Sequence, residues 1–181
     1  MDAPAIINAL GSLVADAAYE PGTSPDCATI YVPADRLVAT CMALRDTESL
    51  RFNVLVEVTA ADYFPRDPRF EVVYHLLSIS HRLRLRLKVR ATASAGVPTI
   101  QGVWPSAGWL EREVWDMFGV VFDGPPDLRR LLMPEDWEGH PQRKDYPVQI
   151  KKTVQTYEPL EITQEEFRAN LQRDRTRRTT H

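Results

Sequence analysis

The sequence predicts an α+β fold, in which a mostly antiparallel sheet of about four strands packs against helices and an extended, proline-rich C-terminal segment follows. Residues 81–91 carry the strongest signal, because aliphatic and cationic side chains alternate there with the period of two of a half-buried strand. Two strand-like segments precede it directly, and segments with helical spacing lie before and after the three. Consecutive strands flanked by helices make the α+β arrangement the leading architecture.

The elements before the alternating strand are predicted from their apolar spacing. Residues 4–18 predict a helix, because one stripe at helical spacing holds Ile6, Leu10, Leu13 and Val14. Residues 27–33 predict a short strand, and the segment after Asp35 predicts an amphipathic helix of about three turns. Residues 52–60 are nearly continuously apolar and predict a strand buried on both faces, and residues 70–80 predict the next strand.

A central helix is predicted to begin near Ser106, a suitable N-cap residue, and to end at Gly119, a residue type that commonly terminates helices. Trp109 and Trp115 lie outside its apolar stripe, so we expect something other than the sheet to cover the helix a second time. After Gly119 the prolines and glycines predict turns and exclude another sheet. Only residues 127–132 are long enough there for a helical turn.

These elements divide the chain into three parts. An α+β domain that includes the central helix spans residues 1–119, an extended partner-docking segment spans 120–157, and a short helix with a basic tail spans 158–181. Thr163, followed three residues later by Glu166, has the spacing of a capping box and predicts the short helix. The arginine-rich tail has few apolar residues, so we expect it to be disordered or to become ordered only against a partner.

Composition narrows the class of protein. A chain of 181 residues with 44% hydrophobic side chains can bury a core without a metal or a disulfide. A net charge of −3 is too small to indicate nucleic acid or an anionic membrane as the partner. Cys27 and Cys41 do not form a CxxC pair, and the sequence shows neither a signal-peptide pattern nor an apolar run of bilayer length. We therefore expect a cytoplasmic soluble protein with free thiols.

Catalysis has two candidate sites, and each has a simpler interpretation. Glu111 and Glu113 diverge by about 200° around a helix, so their carboxylates do not converge on one bond. Glu113 and Asp116 lie on adjacent turns, but nearby arginines supply counter-ions, which favours charge-paired scaffolding. His140 precedes a proline and has no serine or cysteine nucleophile beside it, which favours a local turn role over general-base catalysis.

Cofactor and nucleic-acid sites have little support. No cluster of cysteine or histidine has metal-ligand spacing, and neither a GxGxxG nor a GxxxxGK[ST] motif occurs. Nucleic acid is an alternative, because the cations of residues 82–90 and of the C-terminal tail could follow phosphates. Aromatic residues do not interleave these cations, which favours a solvated sheet face or one that meets an acidic protein surface.

The densest motif lies between residues 104 and 148. It consists of Glu-Arg-Glu-x-Trp-Asp-Met-Phe-Gly from Glu111, Phe-x-Gly from Phe122, Asp-Leu-Arg-Arg from Asp127, and Gly-His-Pro-x-Arg-Lys-Asp-Tyr-Pro from Gly139. This pattern closely resembles the signature of the 30 kDa subunit family, the C subunits of NADH-quinone oxidoreductase, or respiratory complex I. The chain departs from that signature at Pro125, where the family has a histidine, and at Gln142, where it has an apolar residue.

The resemblance implies a structural subunit of the hydrophilic arm, which itself binds no cofactor and lies beside the quinone-site (D) subunit and near the iron–sulfur (B and I) subunits. The complex passes electrons from NADH through FMN and iron–sulfur centres to quinone, coupled to proton translocation. The resemblance also implies a peripheral location on the cytoplasmic side of the bacterial inner membrane, with no nucleic acid bound. Homologous subunits of membrane-bound hydrogenases and of quinone reductases with other electron donors are an alternative.

Two groups of candidate site residues follow, none of them catalytic, cofactor-binding or metal-binding. We expect a network of charge pairs to fix the following chain against the central helix, formed by Glu111, Arg112, Glu113, Asp116, Asp127, Arg129 and Arg130. Aromatic residues and arginine are favoured at interfaces, so we expect contacts with the quinone-site subunit from Trp115, Trp137, His140, Arg143, Lys144, Asp145 and Tyr146.

Overall fold

A computed structural model describes residues 2–124, 129–147 and 163–169 of the chain. The chain divides into two units, Met1–Tyr146 and Pro147–His181. In the second unit residues 164–169 are helical. The hydroxyl oxygen of Thr163 accepts from the amide of Glu166 at 3.3 Å, and the Glu166 carboxylate accepts from the amide of Thr163 at 3.1 Å. These two bonds confirm the predicted capping box.

The first unit combines a sheet with helices. The five-stranded sheet consists of β1 (Glu20–Gly22), β2 (Ala28–Tyr31), β3 (Val54–Asp62), β4 (Phe70–Ser78) and β5 (Leu83–Ala91), in the spatial order β1-β2-β5-β4-β3. Within this sheet the pairing of β2 with β5 is parallel and the others are antiparallel. The described helices are α1 (Ala3–Gly11), α2 (Leu37–Asp46) and α3 (Ala107–Phe118). The predicted α+β class with a mostly antiparallel sheet is therefore confirmed.

The alternation predicted for β5 is confirmed and shows where the core lies. Leu85, Leu87 and Val89 are at most 1% exposed, whereas Arg86 and Lys88 alternate with them on the opposite face. The buried face belongs to one hydrophobic cluster with residues of all three helices, among them Ile6, Leu37 and Val114. Each fully buried aliphatic side chain contributes roughly 1.5–3 kcal/mol, so this cluster holds α3 firmly against the sheet.

The first helix is shorter than predicted. It ends at Gly11 and not at residue 18. Glycine weakens a helix, and the hydroxyl of Ser12 donates to the carbonyl of Ala9 at 2.8 Å, a local bond that competes with helical continuation. Leu13, which was expected on the buried stripe, is consequently 48% exposed.

Two expectations about strands are wrong. Val56 is 56% exposed, so β3 is not buried on both faces; the strand lies at the edge of the sheet and has a bulge between Leu55 and Glu57. The chain after Gly119 does form another strand, because β7 (Phe122–Asp123) pairs in parallel with β6 (Val97–Pro98). Strands of two residues have no periodicity for a sequence to display. Residues 129–132 are not helical, and 127–128 lie outside the described residues.

Candidate docking site

The post-helix segment, residues 129–146, is held on α3 by one buried carboxylate. Oδ2 of Asp116 accepts three successive backbone amides, from Leu131 at 3.0 Å, Leu132 at 2.8 Å and Met133 at 2.9 Å. Oδ1 accepts from the Arg130 guanidinium at 2.7 Å, and Asp116 is 0% exposed. Burial by itself raises the pKa of this carboxyl, but the hydrogen bonds from the three amides and from Arg130 lower it by a larger amount. The net pKa therefore lies below its usual value. The carboxylate therefore organises the chain around it through four hydrogen bonds.

Arg112 lies one helical turn before Asp116 and binds the start of the same segment. Its guanidinium donates to the carbonyl oxygen of Arg129 and, at 2.9 Å, to that of Arg130. It also lies 5.5 Å from the ring centroid of Trp109. Arg130 in turn lies 5.7 Å from the ring of Trp115 and donates to the carbonyl of Gly139 at 3.0 Å. Backbone carbonyls are thus among the acceptors of both guanidinium groups.

The C-terminal end of α3 is capped by the same segment. Gly119 follows the helix with φ of 71°, as expected for a terminating glycine, whereas Ser106 makes no side-chain capping bond at the other end. Nδ1 of His140 donates to the carbonyl of residue 116 at 3.0 Å, and the amide of Gln142 donates to that of residue 117 at 3.0 Å. Nε of Arg143 donates to that of residue 118 at 2.5 Å. These donors satisfy carbonyls that a helix end leaves unpaired.

Histidine 140 is a neutral donor in this arrangement. Burial lowers the pKa of His140, and the charges of Arg143 and Arg130 lower it further. The ring packs edge-on against Trp115, with 5.9 Å between the centroids. Trp115 therefore receives its second covering from this chain, while Trp109 is 63% exposed. The second covering expected for the helix is thus supplied at Trp115 by His140 of this chain.

A second carboxylate, which the sequence did not single out, holds the far end of the segment. Asp62 closes β3, and its Oδ2 accepts the amide of Lys144 at 2.9 Å. The Arg69 guanidinium donates to Asp62 at 2.9 and 2.7 Å and to Asp145 at 2.9 and 2.6 Å. The hydrogen bonds of Arg69 hold the pKa of both carboxyls below the usual range. Asp62 and Arg69 precede Asp145 by about eighty residues, and no local pattern marks their pairing.

Glu111 differs from the other members of the predicted charge network. It is 2% exposed, and its carboxylate accepts from the hydroxyl of Thr99 at 2.5 Å and the amide of Ile100 at 2.8 Å. Burial raises its pKa. Its described bonds thus lead to the chain before α3 and not to the post-helix segment. Glu113 has no hydrogen bond or ion pair within the described residues, and Asp127 lies outside them.

The remaining predicted partner-binding residues differ in how exposed their side chains are. Trp137 and Tyr146 stack with 6.4 Å between centroids, and the Tyr146 hydroxyl donates to the carbonyl of Glu138 at 3.0 Å. Lys144 is exposed.

Within the described residues no group of histidine, cysteine and acidic side chains could hold a metal ion, and no helix is long and apolar enough to cross a membrane.

The fold and these contacts define an α+β protein that holds its own irregular post-helix segment in one shape on a central helix. The profile of the family described as the 30 Kd subunit of respiratory-chain NADH dehydrogenase matches residues 30–152, and the chain belongs to this family. The resemblance based on residues 104–148 is thereby confirmed.

Relatives support the assignment. The chain is 48% identical to the C subunit of NADH-quinone oxidoreductase from Roseiflexus sp. (strain RS-1) over 130 residues, which are 71% of this chain and 75% of that protein. It is 42% identical to the protein of the same name from Roseiflexus castenholzii over 158 residues, covering 87% and 91% of the two chains. A structure of the membrane-bound sulfane sulfur reductase, an archaeal respiratory membrane complex, matches with 26% identity and a TM-score of 0.66, over 80% of this chain and 85% of that chain.

Proposed function

We propose that the chain is a structural subunit of the peripheral arm of an NADH-quinone oxidoreductase, the complex that passes electrons from NADH through FMN and iron–sulfur centres to quinone and couples this to proton translocation. The family match over residues 30–152 carries the proposal, together with 42–50% identity to relatives named as the C subunit of that complex. The cofactors belong to the complex, and this chain contributes a fixed protein surface.

The post-helix segment is the surface that we assign to docking. Its backbone is held by Asp116, Asp62 and the end of α3, which supports a preformed shape, and preformed surfaces bind at a lower entropic cost. Trp109, Leu132 and Lys144 are exposed on or beside it. We assign its contacts to the quinone-site (D) subunit and to the iron–sulfur (B and I) subunits, on the cytoplasmic side of the membrane.

One alternative has a specific observation in its favour. The matching sulfane sulfur reductase is a respiratory membrane complex with a different activity in its name, so the fold also occurs outside NADH-quinone oxidoreductases. The identity of 26% to that chain, against 48% to a relative from an NADH-quinone oxidoreductase, favours the NADH-linked complex. Affinity purification of the tagged protein from native membranes tests this: recovery of NADH-oxidising and quinone-site subunits is expected, and recovery with a sulfur reductase or hydrogenase would contradict it.

Nucleic-acid binding loses one of the two features that suggested it, and the other, the C-terminal tail, lies outside the described residues. Three cations of β5 bind carboxylates of this chain: Arg86 pairs with Asp26, Lys88 with Glu71 and Arg90 with Glu20, at 2.7–2.9 Å. The face is therefore largely charge-balanced, which does not favour the counterion release that drives phosphate binding.

Arg112→Ala tests the scaffold role. Loss of the bonds to residues 129 and 130 is expected to lower the amount of assembled complex, while the NADH-to-quinone rate per assembled particle stays near normal. Arg84→Ala is the matched control, because Arg84 is exposed and has no partner in the described residues. Normal assembly with lost electron transfer in Arg112→Ala would refute the scaffold assignment.

A further inference from the structure

We propose that Arg69 is a positioning residue, which fixes residues 140–146 against the end of β3 in the shape that a neighbouring subunit binds. That the fixed shape is the one bound rests on the proposed docking function; that Arg69 fixes it does not. The motif that carries the family resemblance begins near residue 104, so Arg69 lies outside that motif, although it lies within the profile match over residues 30–152.

The geometry uses the guanidinium in a way that no other side chain can reproduce. Nε and one terminal nitrogen grip Asp62, while both terminal nitrogens grip Asp145, so four hydrogen bonds join two carboxylates through one planar group. Lysine offers a single ammonium without this fixed fork. The two acids come from distant parts of the sequence, and Arg69 is the group that joins them.

Arg69 is oriented by its own neighbours before the post-helix segment is considered. Its guanidinium lies 5.0 Å from the rings of both Phe64 and Phe70. The Asp62 carboxylate also accepts the amide of Phe64 at 2.9 Å, and the amide of Tyr63 donates to the carbonyl of Arg69 at 2.8 Å. The connection between β3 and β4 therefore presents a finished binding site for Asp145.

The three side chains of this arrangement differ in how deeply they are buried. The side chains of Asp62 and Arg69 are 2% and 12% exposed, whereas that of Asp145 is 43% exposed. Asp145 is thus the side chain through which the post-helix segment binds Arg69. Beside it, the amide of Lys144 donates a hydrogen bond to Asp62. We call the contacts of Arg69 with Asp62 and Asp145, together with that amide bond, the latch.

The latch also determines which side chain of this stretch is left for a partner. Arg143 is bound to helix carbonyls and Asp145 to Arg69, while the Lys144 side chain is exposed and has no partner in the described residues. A positioned ammonium of this kind pairs with a carboxylate, so we assign to Lys144 an acidic residue on the neighbouring subunit.

Hydrogen exchange of the purified full chain tests the latch without any partner. Arg69→Gln is expected to raise amide exchange at residues 142–146 on the order of a hundredfold, because a buried Asp62 loses its counter-ion. Arg69→Lys is expected to restore only part of the protection. Arg66→Gln, in the same connection but without a carboxylate partner in the described residues, is the matched control and is expected to change nothing.

Asp145→Asn supplies a second variant that leaves Asp62 and Arg69 paired, with about a fivefold rise expected at the Lys144 amide. Unchanged exchange in both Arg69→Gln and Asp145→Asn overturns the positioning role. Lys144→Gln is expected to keep the exchange pattern yet reduce incorporation into the native complex, whereas Arg69→Gln is expected to alter both. Altered exchange with normal incorporation of Arg69→Gln and Lys144→Gln overturns docking by this segment and leaves the latch supported.

Discussion

Arg90 of β5 and Arg69 make ion pairs of nearly the same length in opposite surroundings. Arg90 pairs with Glu20 at 2.8 Å with side chains 46% and 58% exposed, whereas Arg69 pairs with Asp62 at 2.7 Å with side chains 12% and 2% exposed. Water screens the first pair and hardly reaches the second. Removing one partner of a buried pair strands a charge, which costs about 3–5 kcal/mol. Burial, and not distance, therefore decides which of these pairs holds the molecule together.

The comparison predicts the largest loss where a buried carboxylate serves many donors. Asp116→Ala removes the acceptor of Arg130 and of three amides, so the free energy of unfolding is expected to fall by about 4 kcal/mol. Denaturant unfolding monitored by circular dichroism measures it. Glu135→Ala, at an exposed position of the same segment, is expected to change stability by less than about 0.5 kcal/mol. If the free energy of unfolding fell equally in the two variants, the prediction that burial decides the loss would be wrong.

A backbone change at the helix end is expected to have the next largest effect. Gly119 has φ of 71°, and a Cβ there would collide with His140 and Arg143, so Gly119→Ala is expected to cost about 2–3 kcal/mol. Gly102→Ala is the control, because its Cβ would meet no atom within 4 Å. Thermal unfolding of both variants decides; a stable Gly119→Ala protein would show that the capping by His140 and Arg143 is dispensable.

Acid titration distinguishes the two kinds of buried carboxyl by sign. The pKa of Asp62 is lowered by Arg69, so its contribution to stability is full above about pH 5 and disappears as the pH falls through the folded-state pKa. The difference between wild type and Asp62→Asn, on the order of 2 kcal/mol, is expected to shrink accordingly. Burial raises the pKa of Glu111 above its ordinary 4.5, so Glu111→Gln should gain stability relative to wild type as the pH rises. The measurement is the unfolding free energy of wild type and of both variants at a series of pH values. If the difference from wild type changed with pH in the same way for both variants, the prediction would be wrong.

The smallest effect is expected on the outer face of the sheet. Arg90→Gln breaks the exposed pair with Glu20, and the unfolding midpoint is expected to stay the same within error at high salt and to change slightly at low salt. A large loss of stability that does not depend on salt would contradict this, because it would mean that the exposed pair stabilises the fold as much as the buried pair of Arg69 does.

The sequence predicts well where the structure repeats. Alternation identifies β5, and capping residues and helical spacing identify α3 to within a residue of its observed ends. The latch is invisible in the sequence, because Arg69 meets Asp145 only once β3, β4 and the post-helix segment have taken their places. Likewise, the exposure of Val56 follows from the edge position of β3, which the order of strands decides and no local pattern encodes.

The candidate site shows the same division. Asp116, Arg112 and Arg130 were predicted to interact near the central helix, and they do lie together because helical spacing and short loops bring them there. Several of their described partners were harder to foresee, since these are backbone groups, which a sequence cannot distinguish from one residue to the next. The assignment of these residues to assembly stays a prediction.

The capped end of α3 has a mechanical consequence. Its last carbonyls are bound by His140, Gln142 and Arg143, and its other turns are packed into the core beneath the sheet. Hydrogen bonds from the described part of the post-helix segment therefore join it directly to a helix whose buried face lies in the core. A neighbour that attaches to this segment is anchored to the whole folded unit.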